Sequence, residues 1–198
     1  MQALLRTLIQ FFQFKTTALR ISSPVTAKMI QWKDKQIMSN METLKKQLKA
    51  LITGKTALVG VGNILKADDG AGPLLISRLR QNLIGRPDVL LFDTGVTPEN
   101  YLGPLTKASP ATVLVIDAAD FGCEPGEVHP VTQTELAAAG FSTHTINPGF
   151  FINYLRENGI RNIIFLGIQP GDISLGGQIS PAVEKTLDSL AELFLDIL

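Results

Sequence analysis

Residues Thr112 to Ile116 read Thr-Val-Leu-Val-Ile, a β-branched and apolar run that stops at Asp117. A strand with one wet face alternates apolar and polar side chains. A run without alternation predicts a strand buried on both faces, and that selects a mostly parallel sheet covered by helices. The remaining elements fit this plan. Ala57 to Gly60, Val89 to Phe92 and Asn162 to Gly167 are further short apolar strands, and Gly126 to Pro130 reads as an edge strand. Helical stretches lie between them. Met41 to Leu51 carries Leu44, Leu48 and Leu51 on one face, with Gly54 placed to end it. Gly72 to Leu83 has Pro73 early and Leu75, Leu79 and Leu83 inward. A short helix starts near Pro98-Glu99. Asn147 and Pro148 supply an N-cap and first residue for another, closed by Gly159. Ser180-Pro181 caps the last, whose stripe is Val183, Leu187, Leu190 and Phe194. The expected fold is α/β: a single three-layer domain with a mostly parallel twisted sheet of about five strands and helices on both faces.

The net charge of zero hides an asymmetry. Residues 1–40 hold six Lys/Arg and one acid, leaving twelve bases against seventeen acids in the rest. Residues 1–40 therefore read as a basic N-terminal extension, either disordered or an upstream mis-annotation, and 41–198 as the working domain. A mildly acidic domain argues against nucleic acid as a partner. No stretch reaches the roughly 18 apolar residues of a membrane span; Ala3 to Phe14 is broken by Arg6, Gln10 and Gln13. Cys123 is the single cysteine, which excludes a disulfide framework and a Cys-based zinc site and makes a reducing, cytoplasmic setting the default.

Sites in open α/β sheets gather beyond the carboxyl ends of the strands. Those ends carry Asn63, Asp68 and Asp69, then Asp93 and Glu99, then Asp117 and Asp120, then Gln169 and Asp172; His144 precedes the helix that starts at Pro148. Gly60-x-Gly62 follows a strand, but Leu65 replaces the third glycine of a dinucleotide fingerprint. The two acids nearby would repel a pyrophosphate. Gly60, Gly62 and Gly70 instead suit a tight, closely packed turn. Asp68 and Asp69 could act as helix caps. Asp117 at a buried strand end is a costly place for an unpaired charge. His144 would be held neutral by the following helix N-terminus. Two carboxylates and an imidazole form a mixed O/N donor set for a divalent transition metal, incomplete without further ligands. His129 reads as a surface residue without a role. Leu91 to Gly95 resembles one Asp-Thr-Gly loop of the pepsin-like proteases, but those need two such loops on an all-β fold, and Asp93 before Gly95 is common turn chemistry.

Taken together, Gly60-Val61-Gly62-Asn63, Asp68-Asp69-Gly70-Ala71-Gly72-Pro73-Leu74-Leu75, Pro98-Glu99-Asn100, Val115-Ile116-Asp117-Ala118, Asp120 with Pro125-Gly126-Glu127, Thr143-His144 and Phe165 to Pro170 resemble the hydrogenase maturation endopeptidases. The likeness is to the type that processes the large subunit of the formate-hydrogenlyase hydrogenase, and it runs from about Thr56 to the end. It implies an endopeptidase, often classed as aspartic-type, that removes a C-terminal peptide from the nickel-loaded precursor of a NiFe-hydrogenase large subunit. Nickel, supplied by or shared with the precursor, is the implied cofactor and recognition element. The implied metal positions are Asp69, Asp117 and His144, with Asp69 and Asp117 also catalytic. Gly60, Gly62, Asn63, Asp68 and Gly70 support the loop. The expected partner is that precursor, with no nucleic acid and no membrane, and the protein itself a monomer. The basic extension and Asp-Thr-Gly at 93–95, where close relatives tend to have Asp-Gly-Gly, depart from the pattern. A non-catalytic nickel-sensing chaperone of the same precursor is the alternative, and a small-molecule hydrolase or nucleotide-binding enzyme on a similar sheet is a third.

Overall fold

In the computed structural model the described residues are 40–83, 85–131 and 148–198. The chain divides into two units, Met1–Glu42 and Thr43–Leu198, and the sheet lies in the second. Its elements are helix α1 (40–51), strand β1 (Thr56–Val61), helix α2 (Ala71–Asn82), strand β2 (Val89–Gly95), helix α3 (Leu102–Ala108), strand β3 (Thr112–Ala118), strand β4 (Val128–Val131), helix α4 (Pro148–Glu157), strand β5 (Asn162–Ile168) and helix α5 (Pro181–Ile197). The strand order is β2-β1-β3-β5-β4. All neighbours pair in parallel except β4, which runs antiparallel on β5.

The two faces of the sheet sort by alternation. Ala57, Val59, Val61, Val113, Val115, Ile163 and Phe165 pack with Leu102 and Leu105 of α3 and Phe151, Ile152 and Leu155 of α4. Leu58, Leu114, Ile116, Ile164 and Leu166 point the other way and are also buried. On that side α2 lies against β1 and β3, and α5 lies against α2. Lys45 and Lys49 of α1 each reach Asp196 of α5 at 3.1 Å. The three-layer α/β fold, with a five-stranded and mostly parallel sheet, is the one expected.

Leu44 and Leu48 are buried, and Leu51, the last residue of α1, is 39% exposed. One local reading needs correction. The edge strand begins at Val128, not Gly126. Pro125-Gly126 forms a turn, with Gly126 at φ +86° and a Glu127 N–H to Glu124 carbonyl bond of 3.1 Å. Pro130 is tolerated in β4 because an edge strand leaves one side unpaired. Residues 1–39, Asn147 and His144 lie outside the described residues.

Candidate active site and metal cluster

The site is built where α2 meets the carboxyl ends of β1 and β3. Close approach of backbones makes this junction. A Cβ on Gly72 would fall 2.3 Å from the Val61 carbonyl and 2.4 Å from that of Ile116, and one on Gly60 would fall 2.5 Å from Gly72 O. Gly62 has φ +134°, and a Cβ there would sit 1.8 Å from Asp69 O. Only glycine lets the loop fold back so tightly. Asn63 then organises the turn: its Oδ1 accepts from Leu65 N at 2.9 Å and its carbonyl from Lys66 N at 2.9 Å. A single 3-10 turn, Ala67–Gly70, leads directly into α2.

The adjacent acids Asp68 and Asp69 go to different places. Asp68 is fully buried and accepts three backbone N–H groups from the segment after β5: Gly171 at 2.7 Å, Asp172 at 3.0 Å and Ser180 at 2.7 Å. Its carboxylate ties the first loop to the last. Asp69 is half-buried and accepts one loop amide, Asn63 N, at 3.1 Å.

Among the described residues Asp117 is the most perturbed acid. It is 4% exposed, and neither carboxylate oxygen has a hydrogen-bond partner among the described residues. Burial, and then the charge of nearby Asp69, push its carboxyl up to about 8. The Ala118 amide pulls the other way without closing a hydrogen bond of good geometry. By alternation Asp117 belongs to the face that carries Val113 and Val115, the face on which α4 packs. Buried carboxylates without partners are rare because desolvation is costly. A buried acid without a partner, close enough to a second carboxylate to feel its charge, is a candidate position for a cation or for proton transfer.

Other strand-end polar residues are used locally. Asp93 is exposed and accepts its own turn amide, Gly95 N, at 3.2 Å, so the Asp-Thr-Gly loop is a turn. Glu99 is exposed. Asp172 accepts Ser174 N at 2.8 Å, and this backbone bond, with the Ser174 hydroxyl, holds its carboxyl low. Asp120 accepts Gly122 N at 2.9 Å and the Gln169 amide at 3.1 Å, which hold it low in that order. Gln169 is buried and also accepts Phe121 N at 2.7 Å through Oε1.

A second cluster escaped the sequence reading. One ligand atom from each of Cys123, Glu127 and His129 lies within 4.8 Å of the others, an arrangement that could hold a metal ion. His129 Nε2 is 3.4 Å from Glu127 Oε2. Desolvation and the charge of Glu127 push the Cys123 thiol up. The sequence reading gives His129 no role and expects no cysteine-based zinc site; the His129 side chain is partly exposed, and it stands in a group that could hold a metal ion. The available signal was Glu127 and His129 at alternate positions, with Cys123 returned over them by the Pro125-Gly126 turn.

Four large apolar side chains stay exposed beside the first loop: Ile64, Leu65, Ile173 and Leu175, the last 76% exposed. Their segments are joined by the Gly176 N–H to Leu65 carbonyl bond of 2.7 Å. Among the described residues no helix is long and apolar enough to cross a membrane.

A mostly parallel α/β sheet whose central strand ends in a buried acid, without a hydrogen-bond partner among the described residues, is the layout of an enzyme rather than of a structural module. The chain belongs to the hydrogenase maturation protease family, whose model matches residues 73–197. It is 36% identical over 134 residues to the hydrogenase 3 maturation protease of Escherichia coli strain K12, covering 67% of this chain and 84% of that protein. The crystal structure of the NiFe hydrogenase maturation protease HycI from Thermococcus kodakarensis superposes with a TM-score of 0.70 at 31% identity, covering 76% of this chain and 97% of that one. The solution structure of the endopeptidase HycI from Escherichia coli gives 0.59 at 29% identity, covering 70% and 87%.

Proposed function

We propose that the chain is an endopeptidase that removes a C-terminal peptide from the nickel-loaded precursor of a NiFe-hydrogenase large subunit. The observation that carries this reading beyond family membership is Asp117, a buried acid with no partner among the described residues, held protonated by its surroundings and by Asp69. A cation held by the two carboxylates would neutralise the Asp69 charge and favour the ionised form of Asp117 against the burial penalty. In this reading the cation is the substrate's nickel, held by thiolates of the precursor, and Asp69, Asp117 and His144 complete its shell. Two carboxylates and an imidazole suit such an ion. The placement of α4 supports the role of His144: the helix starts four residues later and packs on the sheet face to which Asp117 belongs.

Recognition then works through charge. A precursor without nickel meets a protonated Asp117 at neutral pH. A precursor with nickel meets an ionised one. Nickel in the precursor also supplies Lewis acidity toward the scissile carbonyl. The chain's own residues position the peptide, and an ionised Asp69 or Asp117 takes the proton from attacking water, which is the sense of an aspartic-type assignment. The exposed rim of Ile64, Leu65, Ile173 and Leu175 is the surface that meets the precursor, since contiguous apolar residues around a site mark contact regions.

Incubating the purified chain with nickel-loaded precursor and weighing the precursor by mass spectrometry tests the peptidase reading. Loss of a C-terminal peptide is the expected result. A stable complex with unchanged precursor mass would replace it with the nickel-sensing chaperone.

A further inference from the structure

We infer that Cys123, Glu127 and His129 form a second metal site, for a divalent ion of the zinc class, separate from the Asp69–Asp117 pair. Three observations support it. The ligand atoms already converge, all within 4.8 Å of one another. The 3.4 Å from His129 Nε2 to Glu127 Oε2 matches the edge of a tetrahedral site, roughly 3.3 Å for metal–ligand bonds of about 2.0–2.1 Å. His129 Nε2 is also a buried nitrogen without a hydrogen-bond partner among the described residues, an orphaned polar atom that a metal would satisfy.

The ligands stand on fixed supports. Gln169 Oε1 accepts from Phe121 N at 2.7 Å and from Cys123 N at 3.3 Å. The backbone of the same residue accepts from Gly126 N and donates to the Glu127 carbonyl, each at 2.8 Å. One buried glutamine therefore pins both ends of the loop that carries Cys123 and Glu127. His129 is fixed by its pairing with Gly167 in β5. A site whose ligands are held before the ion arrives loses less entropy on binding.

The donor set selects the ion. Thiolate and imidazole favour zinc-class metals over magnesium or calcium, and three protein ligands leave a fourth tetrahedral position open. Binding releases the Cys123 thiol proton to solvent. The site is distinct from the acid pair. Asp117 pairs with Gly167, and Gly167 with His129, so two strand spacings, roughly 10 Å, separate them. The Phe121 ring lies over Gly167 between them: a Cβ there would fall 2.3 Å from Phe121 Cζ.

Cys123 is the chain's single cysteine, so a thiolate-to-cobalt charge-transfer band reports this site alone. The metal-stripped full chain is titrated with Co2+, and separately with Zn2+ under equilibrium dialysis. The expected result is a saturable thiolate–cobalt band. It is lost in Cys123→Ala and weakened roughly tenfold or more in His129→Ala and Glu127→Gln, with far-UV circular dichroism unchanged. One zinc per chain is expected to remain in the Asp69→Asn/Asp117→Asn double variant. Absence of the band in the wild-type chain overturns the inference. So does a band indifferent to His129→Ala, or zinc binding that survives Cys123→Ala but not the double Asp variant. None of these readouts uses peptide cleavage, so the inference stands or falls apart from the peptidase reading.

Discussion

Replacing Asp117 by asparagine tests the buried acid in two opposite ways. Its carboxyl is raised from 3.8 to about 8, first by burial and then by Asp69. The folded state therefore holds a proton that the unfolded chain has released, and stability falls as pH rises from about 4 to about 8. Above that window the folded chain carries the full penalty, on the order of 5 kcal/mol, and at pH 7 roughly 4 kcal/mol. Water entry and relaxation around the carboxylate lower these ceilings, so about 2–4 kcal/mol at pH 7 is the working magnitude. Asparagine keeps the shape and cannot ionise. Asp117→Asn is expected to be more stable than the wild type, by little at pH 5 and by most at pH 8–9, while losing precursor processing. Urea unfolding followed by far-UV circular dichroism at pH 5, 7 and 9 measures the first effect. A stability difference that stays flat from pH 5 to pH 9 would refute the account of Asp117 as a buried carboxyl held protonated.

Three further outcomes follow from the same geometry. Asp68→Ala leaves the N–H groups of Gly171, Asp172 and Ser180 without their acceptor, and urea unfolding should show a loss of about 3 kcal/mol or more. Gly62→Ala places a Cβ against the Asp69 carbonyl at positive φ, so backbone strain and overlap together should cost about 3 kcal/mol or more and cut processing by displacing Asp69. Leu65→Glu with Leu175→Glu puts charge into the exposed rim; a KM for precursor roughly tenfold higher, with an unchanged urea midpoint, is expected, the equivalent of about 1.4 kcal/mol of lost contact.

Strands β1, β3 and β5 were readable because each is a short apolar run whose burial is a local property of its sequence. The same holds for α5, where Ser180 caps the helix through a 3.4 Å bond from Val183 N. Gly126 misled because the alternation of Glu127, Val128 and His129 after it resembles a strand whose start is blurred until the turn at φ +86° is seen. The different employments of Asp68 and Asp69 were hidden for another reason. Adjacent acids look alike, and the donors that claim Asp68 come from more than a hundred residues downstream. The Cys123 cluster depends on the Pro125-Gly126 turn and on the β4–β5 register, neither of which composition or spacing reveals. Asp117 stood out early because an acid that ends a doubly buried strand conflicts with the burial of its neighbours.

The most direct test of metal recognition by the acid pair sets nickel-loaded and nickel-free precursor side by side with the same enzyme, with C-terminal mass as the readout. Recognition through Asp69 and Asp117 predicts that the nickel-loaded precursor is shortened and the nickel-free one is left whole. Equal cleavage of both would contradict it.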